Sequence, residues 1–245
     1  MNGFENIIYE KTDDGIAWIT LNRPKALNAV NTKMRDELYE VLPAIKQDPD
    51  VRVAIVKGAG DRAFSAGADI SEFGTVPSVA IGREIRWERD LWGMFLSVQK
   101  PMIAAIGGFA LGAGIEMAMC CDIRIASDDS QFGLPEANLG MVPTAGGSQT
   151  MPRLVLHGRV SEIVLTADRI DASEGLRIGL INRIVSRDQL IPTAETIAKK
   201  IISKDASALM YAKNAITRGL DMTLDQGLEL EKRLSMALLR KRIAS

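Results

Sequence analysis

Histidine is nearly absent: His157 is the only one in 245 residues. A histidine-based zinc site or a Ser-His-Asp triad would rest on that single imidazole, and a lone histidine is more often an ordinary surface residue, so neither is adopted. Cysteine is almost as scarce. Cys120 and Cys121 are adjacent, neighbouring cysteines rarely pair, and no Cys-x-x-Cys occurs. No structural disulfide is expected, and a reducing, cytoplasmic setting fits. Excess charge is also missing, with 30 Lys and Arg against 31 Asp and Glu. That balance offers no basic surface for nucleic acid and no acidic disordered tail. Met1 to Glu10 has neither a basic nor an apolar leader character, so no secretory signal is expected. One stretch imitates a membrane span. From Pro101 to Cys121 the only charge is Glu116, but Gly107, Gly108, Gly112 and Gly114 break the run. It reads as a core strand, a glycine turn and a buried helix, so no membrane partner is expected.

What is present is the composition of a soluble globular chain, 47% hydrophobic and 25% charged. Residues 6–10 and 15–21 read as a hairpin about Asp13-Asp14-Gly15. Asn31 to Gln47 has helical spacing, with Met34, Leu38, Val41, Leu42 and Ile45 on one face. Asn31 or Thr32 suits its cap, and Pro43 predicts a kink or an early end. Val51–Val56 reads as a strand, Gly58–Asp69 as a glycine-rich loop, and Val79–Gln99 as a helix with Trp87, Leu91, Met94 and Phe95 for packing. Strands follow at Pro101–Ile106, Asp122–Ala126, Gln131–Gly133 and Ile181–Val185. A helix is expected over Gly112–Met119, and Pro135 opens another. Residues 188–202, 205–218 and 223–242 read as helices. The division expected is a mixed body over 1–190 and a helical region over 191–245, with no low-complexity linker.

Three segments join small residues to a carboxylate: Ala63-Phe-Ser-Ala-Gly-Ala-Asp-Ile70, Ala110-Leu-Gly-Ala-Gly-Ile-Glu116 and Phe132-Gly-Leu-Pro-Glu136. Small residues let a ligand approach the backbone. Free N–H groups at a helix start favour developing negative charge. One N–H from each of the first two segments, converging on a thioester oxygen, would form an oxyanion hole. Taken singly, such clusters as often mark tight packing. Nucleotide fingerprints do not explain them: Met117 stands where the dinucleotide pattern needs Gly or Ala, and no P-loop occurs. Glu116 and Glu136 both fall in apolar settings, which is costly unless they are paired or used. Two carboxylates in different environments can divide the proton transfers of a hydration.

At these residues the sequence resembles the crotonase superfamily, enoyl-CoA hydratases in particular. The likeness runs through Leu21–Ala29, Ala63–Ile70, Gly108–Asp122, Gln131–Gln149, Ala172–Gly175 and Gly179–Asn182. It implies an α/β fold: a spiral of strand–strand–helix turns with a helical C-terminal trimerisation region, in a homotrimer or a dimer of trimers. It implies a reversible addition of water to a 2-enoyl-CoA thioester, with coenzyme A arriving as part of the substrate and no metal or redox cofactor. The peptide N–H groups of Ala66 and Ala113 match the oxyanion-hole positions. Glu116 matches the carboxylate that activates water, and Glu136 the one that exchanges a proton at the α-carbon. Lys25, Ala26, Leu27, Phe64, Ala66, Gly67, Ala68, Asp69, Ile70, Gly112 and Ala113 match substrate-binding positions. Ala113 replaces a usual Gly, tolerable for a backbone contact. Thr144 replaces another after Pro143, where it would position water or narrow the acyl pocket.

Two further readings stay open. One is an enoyl-CoA isomerase or specialised dienoyl-CoA hydratase, separable by product analysis. The other is a non-catalytic acyl-CoA-binding protein, against which the presence of both carboxylates argues.

Overall fold

In the computed structural model, residues 3–72 and 88–244 are described. The chain opens with strands β1 (Ile7–Lys11) and β2 (Ile16–Leu21), paired antiparallel as expected. Gly15 makes the turn at φ +88°, a value that suits glycine. Helix α1 (Thr32–Gln47) is capped by Asn31, whose side chain accepts the Met34 N–H. Met34, Leu38, Val41, Leu42 and Ile45 are all fully buried. The helix does not end early at Pro43, because that apolar face packs on both sides of the proline and carries it through to Gln47.

Strand β3 (Val53–Gly58) leads to β4 (Ala63–Ser65), so the expected glycine-rich loop contains a short strand. Residues 79–87 of the expected helix over 79–99 lie outside the described residues. Helix α2 (Leu91–Ser97) is capped by Asp90 and buries Leu91 and Phe95. Next come β5 (Met102–Ile106), β6 (Phe109–Leu111) and helix α3 (Ala113–Met119), then β7 (Ile123–Ser127), β8 (Gln131–Gly133) and a 3-10 turn over Pro135–Leu139. Helices α4 (Gly147–Leu154) and α5 (His157–Thr166), strand β9 (Ile170–Asp171) and helix α6 (Ala172–Arg177) follow. Strand β10 (Arg183–Val185) and helices α7 (Leu190–Ile202), α8 (Ala206–Gly219) and α9 (Leu224–Ala244) complete the order.

Strands leave one sheet and enter a second in turn. The larger sheet runs β1-β2-β3-β5-β7-β10 and the smaller β4-β6-β8-β9. Successive turns add β3 with β4, β5 with β6, and β7 with β8, and within each sheet these strands pair in parallel. Parallel strands are covered on both faces, which is why β5 is buried at every position. The main core lies between the sheets and α1 to α3, and a second core forms where α7 lays Leu190, Ala194 and Ala198 on the larger sheet. Helices α8 and α9 pack chiefly on each other. Among the described residues no helix is long and apolar enough to cross a membrane, and the apolar run 101–121 is spent on β5, β6 and α3. Cys120 and Cys121 are free and buried, and burial pushes the Cys121 thiol up to about 12.

Asn28 fastens two functional loops together. It is fully buried at φ +54°. Its Nδ2 donates to Ala59 O at 2.9 Å and Ala63 O at 2.8 Å, while its Oδ1 accepts the Arg23 N–H at 2.9 Å. Asparagine tolerates this left-handed conformation better than alanine. Asn28→Ala is therefore expected to lower stability by about 3 kcal/mol, read by urea unfolding, through loss of these bonds. Asn28→Gly, which relieves the backbone but not the lost bonds, should recover only a small part.

Candidate active site

Helix α3 carries the first carboxylate. Gly112 caps it at φ 48° and ψ −125°. One turn in, Glu116 is 2% exposed among apolar neighbours. Its Oε1 accepts the Gly147 N–H at 2.6 Å and the Ala145 N–H at 3.1 Å. These donors come from the start of α4, a helix that the sequence pattern did not reveal. They orient the carboxylate. Gly147 has no side chain for a steric reason: a Cβ there would sit 2.8 Å from Glu116 Oε1 and 3.1 Å from Leu134. Thr144 stands exposed in the same loop, next to Ala145.

The second carboxylate comes from the Pro135–Leu139 turn. Glu136 reaches over the start of α3, where a Cβ on Gly112 would lie 2.8 Å from Glu136 Oε1. Glu136 Oε2 is buried and has no hydrogen-bond partner among the described residues. Burial raises the Glu136 pKa, opposed only by its own backbone N–H. The two glutamates thus differ in their partners: the more deeply buried Glu116 is held by peptide donors, and the half-buried Glu136 has an oxygen with none among the described residues. That separation is the usual basis for dividing acid and base roles.

The structure corrects one expected donor. The Ala66 N–H is engaged, donating to Leu27 O at 2.9 Å, so it is not free for a ligand. Val30 forms a parallel bridge with Ala68, donating to Gly67 O at 2.8 Å and accepting from the Asp69 N–H at 3.0 Å. In a parallel pairing the bridged residue turns its own N–H the other way. The Ala68 N–H consequently faces away from Val30 and has no acceptor among the described residues. Ala113, at the first position of α3, likewise has no intrahelical acceptor for its N–H. The two loops touch: a Cβ on Gly67 would be 3.0 Å from Leu111 O and 3.7 Å from Ala113 N. Gly67 also has φ +104°, so glycine is needed there twice over.

A cavity of about 360 Å³ is lined by residues of the same loops, among them Leu27, Ala66, Ile70 and Leu111, together with Pro135 and Arg169. Lys25 and Ala26 sit exposed on the turn before Leu27. Phe64 lies on β4 beside this loop. Its ring is fully buried in the main core, so it supports β4 and offers no side-chain contact to a ligand. Asp69 is also taken up internally. Its Oδ1 accepts from Ser71 and its Oδ2 pairs with Arg23, and both interactions hold its pKa low, the Ser71 hydroxyl most strongly. Gly112 gives its N–H to Gly133 O at 2.9 Å. Arg169, missed in the sequence, lies with its guanidinium 5.2 Å from the Phe109 ring centre. No sequence spacing linked those two residues, which the smaller sheet brings together.

The strand–strand–helix spiral is the crotonase fold. The enoyl-CoA hydratase/isomerase family model matches residues 11–243, and the chain belongs to that family. A crotonyl-CoA hydratase of Syntrophomonas wolfei subsp. wolfei is 40% identical over 228 residues, covering 93% of this chain and 87% of its own. A short-chain-enoyl-CoA hydratase of Clostridium acetobutylicum is 42% identical over 232 residues, covering 92% and 86%. The 1.8 Å crystal structure of an enoyl-CoA hydratase from Bacillus anthracis matches with a TM-score of 0.92 at 35% identity, over 96% of this chain and 92% of that one.

Proposed function

We propose that this protein is an enoyl-CoA hydratase that adds water reversibly to a short-chain 2-enoyl-CoA thioester. The observation that carries the reading is the pairing of an oriented Glu116 with a desolvated Glu136 at the start of one helix. The relatives named for crotonyl-CoA and short-chain enoyl-CoA support the substrate class.

In this mechanism the thioester oxygen receives the N–H groups of Ala68 and Ala113. Glu116 takes a proton from water, and the oxygen attacks C3. The C2–C3 π electrons shift towards the thioester, and the enolate charge collects on the oxygen held by the two peptides. Glu136, in its protonated form, gives its proton to C2, and burial favours that form by raising its pKa. Water is thus added across the double bond, and proton exchange with solvent resets both carboxylates. Each oxyanion donor typically contributes about 3–4 kcal/mol to transition-state stabilisation. The backbone around Ala66, Gly67 and Ile70 and the turn at Lys25 and Ala26 receive the coenzyme A portion of the substrate.

The reading uses no metal or redox cofactor, since a carboxylate activates the water. Exposed apolar residues on α8, α9 and the turn between them, among them Ile216, Leu220, Leu224 and Leu228, support a homotrimer or a dimer of trimers. Two free adjacent thiols suit the cytoplasm.

The deciding experiment is mass spectrometry of crotonyl-CoA and longer, branched and cyclic enoyl-CoA esters incubated with the protein in ¹⁸O-labelled water. Labelled oxygen in a 3-hydroxyacyl-CoA product is the expected result. A moved double bond without oxygen uptake would replace hydration by isomerisation.

A further inference from the structure

The loop that carries Ala68 is gripped from outside the ligand cavity. Asp69 Oδ2 lies 2.8 Å from Arg23 Nη1, with the side chains 14% and 21% exposed. Asp69 Oδ1 takes the Ser71 N–H at 3.1 Å and the Ser71 hydroxyl at 2.6 Å. Both carboxylate oxygens are therefore occupied within the protein. The same Arg23 nitrogen donates to Ala29 O at 2.6 Å. Arg23 thus holds the two chains on either side of the Val30–Ala68 bridge.

We infer that Arg23 and Asp69 are positioning residues that aim the Ala68 N–H at the thioester oxygen, and that the Asp69 side chain does not itself bind the ligand. The inference rests on the proposed role of Ala68 as a donor. A peptide donor is effective only when its direction is fixed before the charge develops. The Gly67 carbonyl that shares this peptide's plane accepts the Val30 N–H, which sets one side of the loop. Ala68 and Ile70 are exposed, and the bridge to Val30 is isolated rather than part of a sheet. Two backbone bonds restrain the peptide on the Val30 side, and the ion pair restrains the residue that follows it. Removing one partner of so enclosed a pair can also lower stability. The positioning role therefore shows as a loss of carbonyl polarisation and turnover in variants that remain folded.

The test uses a 3-phenyl-2-enoyl-CoA, a conjugated thioester whose absorbance moves to longer wavelength when its carbonyl is polarised. Bound to the wild type it is expected to show that shift. In Arg23→Gln and in Asp69→Asn the shift of the bound ester should shrink markedly. Turnover of crotonyl-CoA should fall about 10–100-fold, as for a misplaced catalytic group. The dissociation constant of a saturated acyl-CoA should change less than about threefold, since ground-state binding is retained. The double variant should be no slower than the slower single one, because both changes remove the same restraint. Arg23→Lys, which keeps the charge without the planar fork, should restore part of the shift. A full shift and unchanged turnover in the folded single variants would overturn the positioning role while leaving the donor reading intact. No shift in the wild type would overturn the donor reading itself, and the positioning role with it. If Asp69→Asn does not fold, Arg23→Gln and Arg23→Lys decide by the same absorbance.

Discussion

Glu136→Gln should lower turnover of crotonyl-CoA by about a thousandfold, within the range for loss of a general acid or base. Binding of the coenzyme A ester should stay nearly unchanged, because the carboxyl reaches over Gly112 at the reacting end. The variant should also fold well. Glu136 Oε2 is buried without a partner, so replacing the carboxylate with a neutral amide removes a desolvation cost. Its raised pKa has two consequences. For catalysis, hydration needs the protonated form, so the hydration rate should fall as pH rises through the raised pKa. For folding, a glutamate whose folded pKa exceeds its unfolded value stabilises the protein fully below the unfolded pKa. That contribution is lost as pH rises through the folded pKa. The amide has no such dependence, so above that range Glu136→Gln should melt at the same temperature as the wild type or higher. Rate–pH profiles and thermal melts of the two proteins check both. Near-normal turnover in the variant would remove Glu136 from the mechanism.

Glu116 allows a sharper comparison, because its Oε1 holds two peptide donors that the fold has buried. Glu116→Gln keeps an oxygen at that place, so the Ala145 and Gly147 N–H groups remain satisfied while the base is lost. Turnover should fall by about 10²–10⁴-fold with little change in stability. Glu116→Ala should be as inactive and in addition less stable, by about 1–3 kcal/mol for each donor left unpaired. Steady-state rates beside urea unfolding curves separate the two losses. Equal stability of the Gln and Ala variants would show that the two donors find water or other acceptors once the carboxylate is gone.

Much of this was legible before the fold was known, for local reasons. The β1–β2 hairpin was marked by Asp13-Asp14-Gly15, and α1 by the repeat from Met34 to Ile45. Glu116 and Glu136 were marked by small residues and proline at the starts of their turns. These signals depend on neighbours within a few positions, so the chain alone carries them. Helices α4 to α6 were not legible: they are short, Pro152 lies inside α4, and their positions are set by contacts with α3 and the smaller sheet. Three-residue β6 is too short for an alternation to show.

The sequence by itself determined which residue types surround the reacting centre: two glutamates, each beside backbone that a ligand can approach. It did so because turn chemistry and helix starts are local. Only the tertiary structure decided which peptide N–H is free. The choice between Ala66 and Ala68 depends on pairing with Leu27 and Val30, and the orientation of Glu116 on donors 29 and 31 positions further on. Whether Phe64 faces a ligand or the core was settled in the same way. A hydrogen bond between distant segments leaves no periodicity in the sequence, since its direction is set by how the two strands are registered against each other.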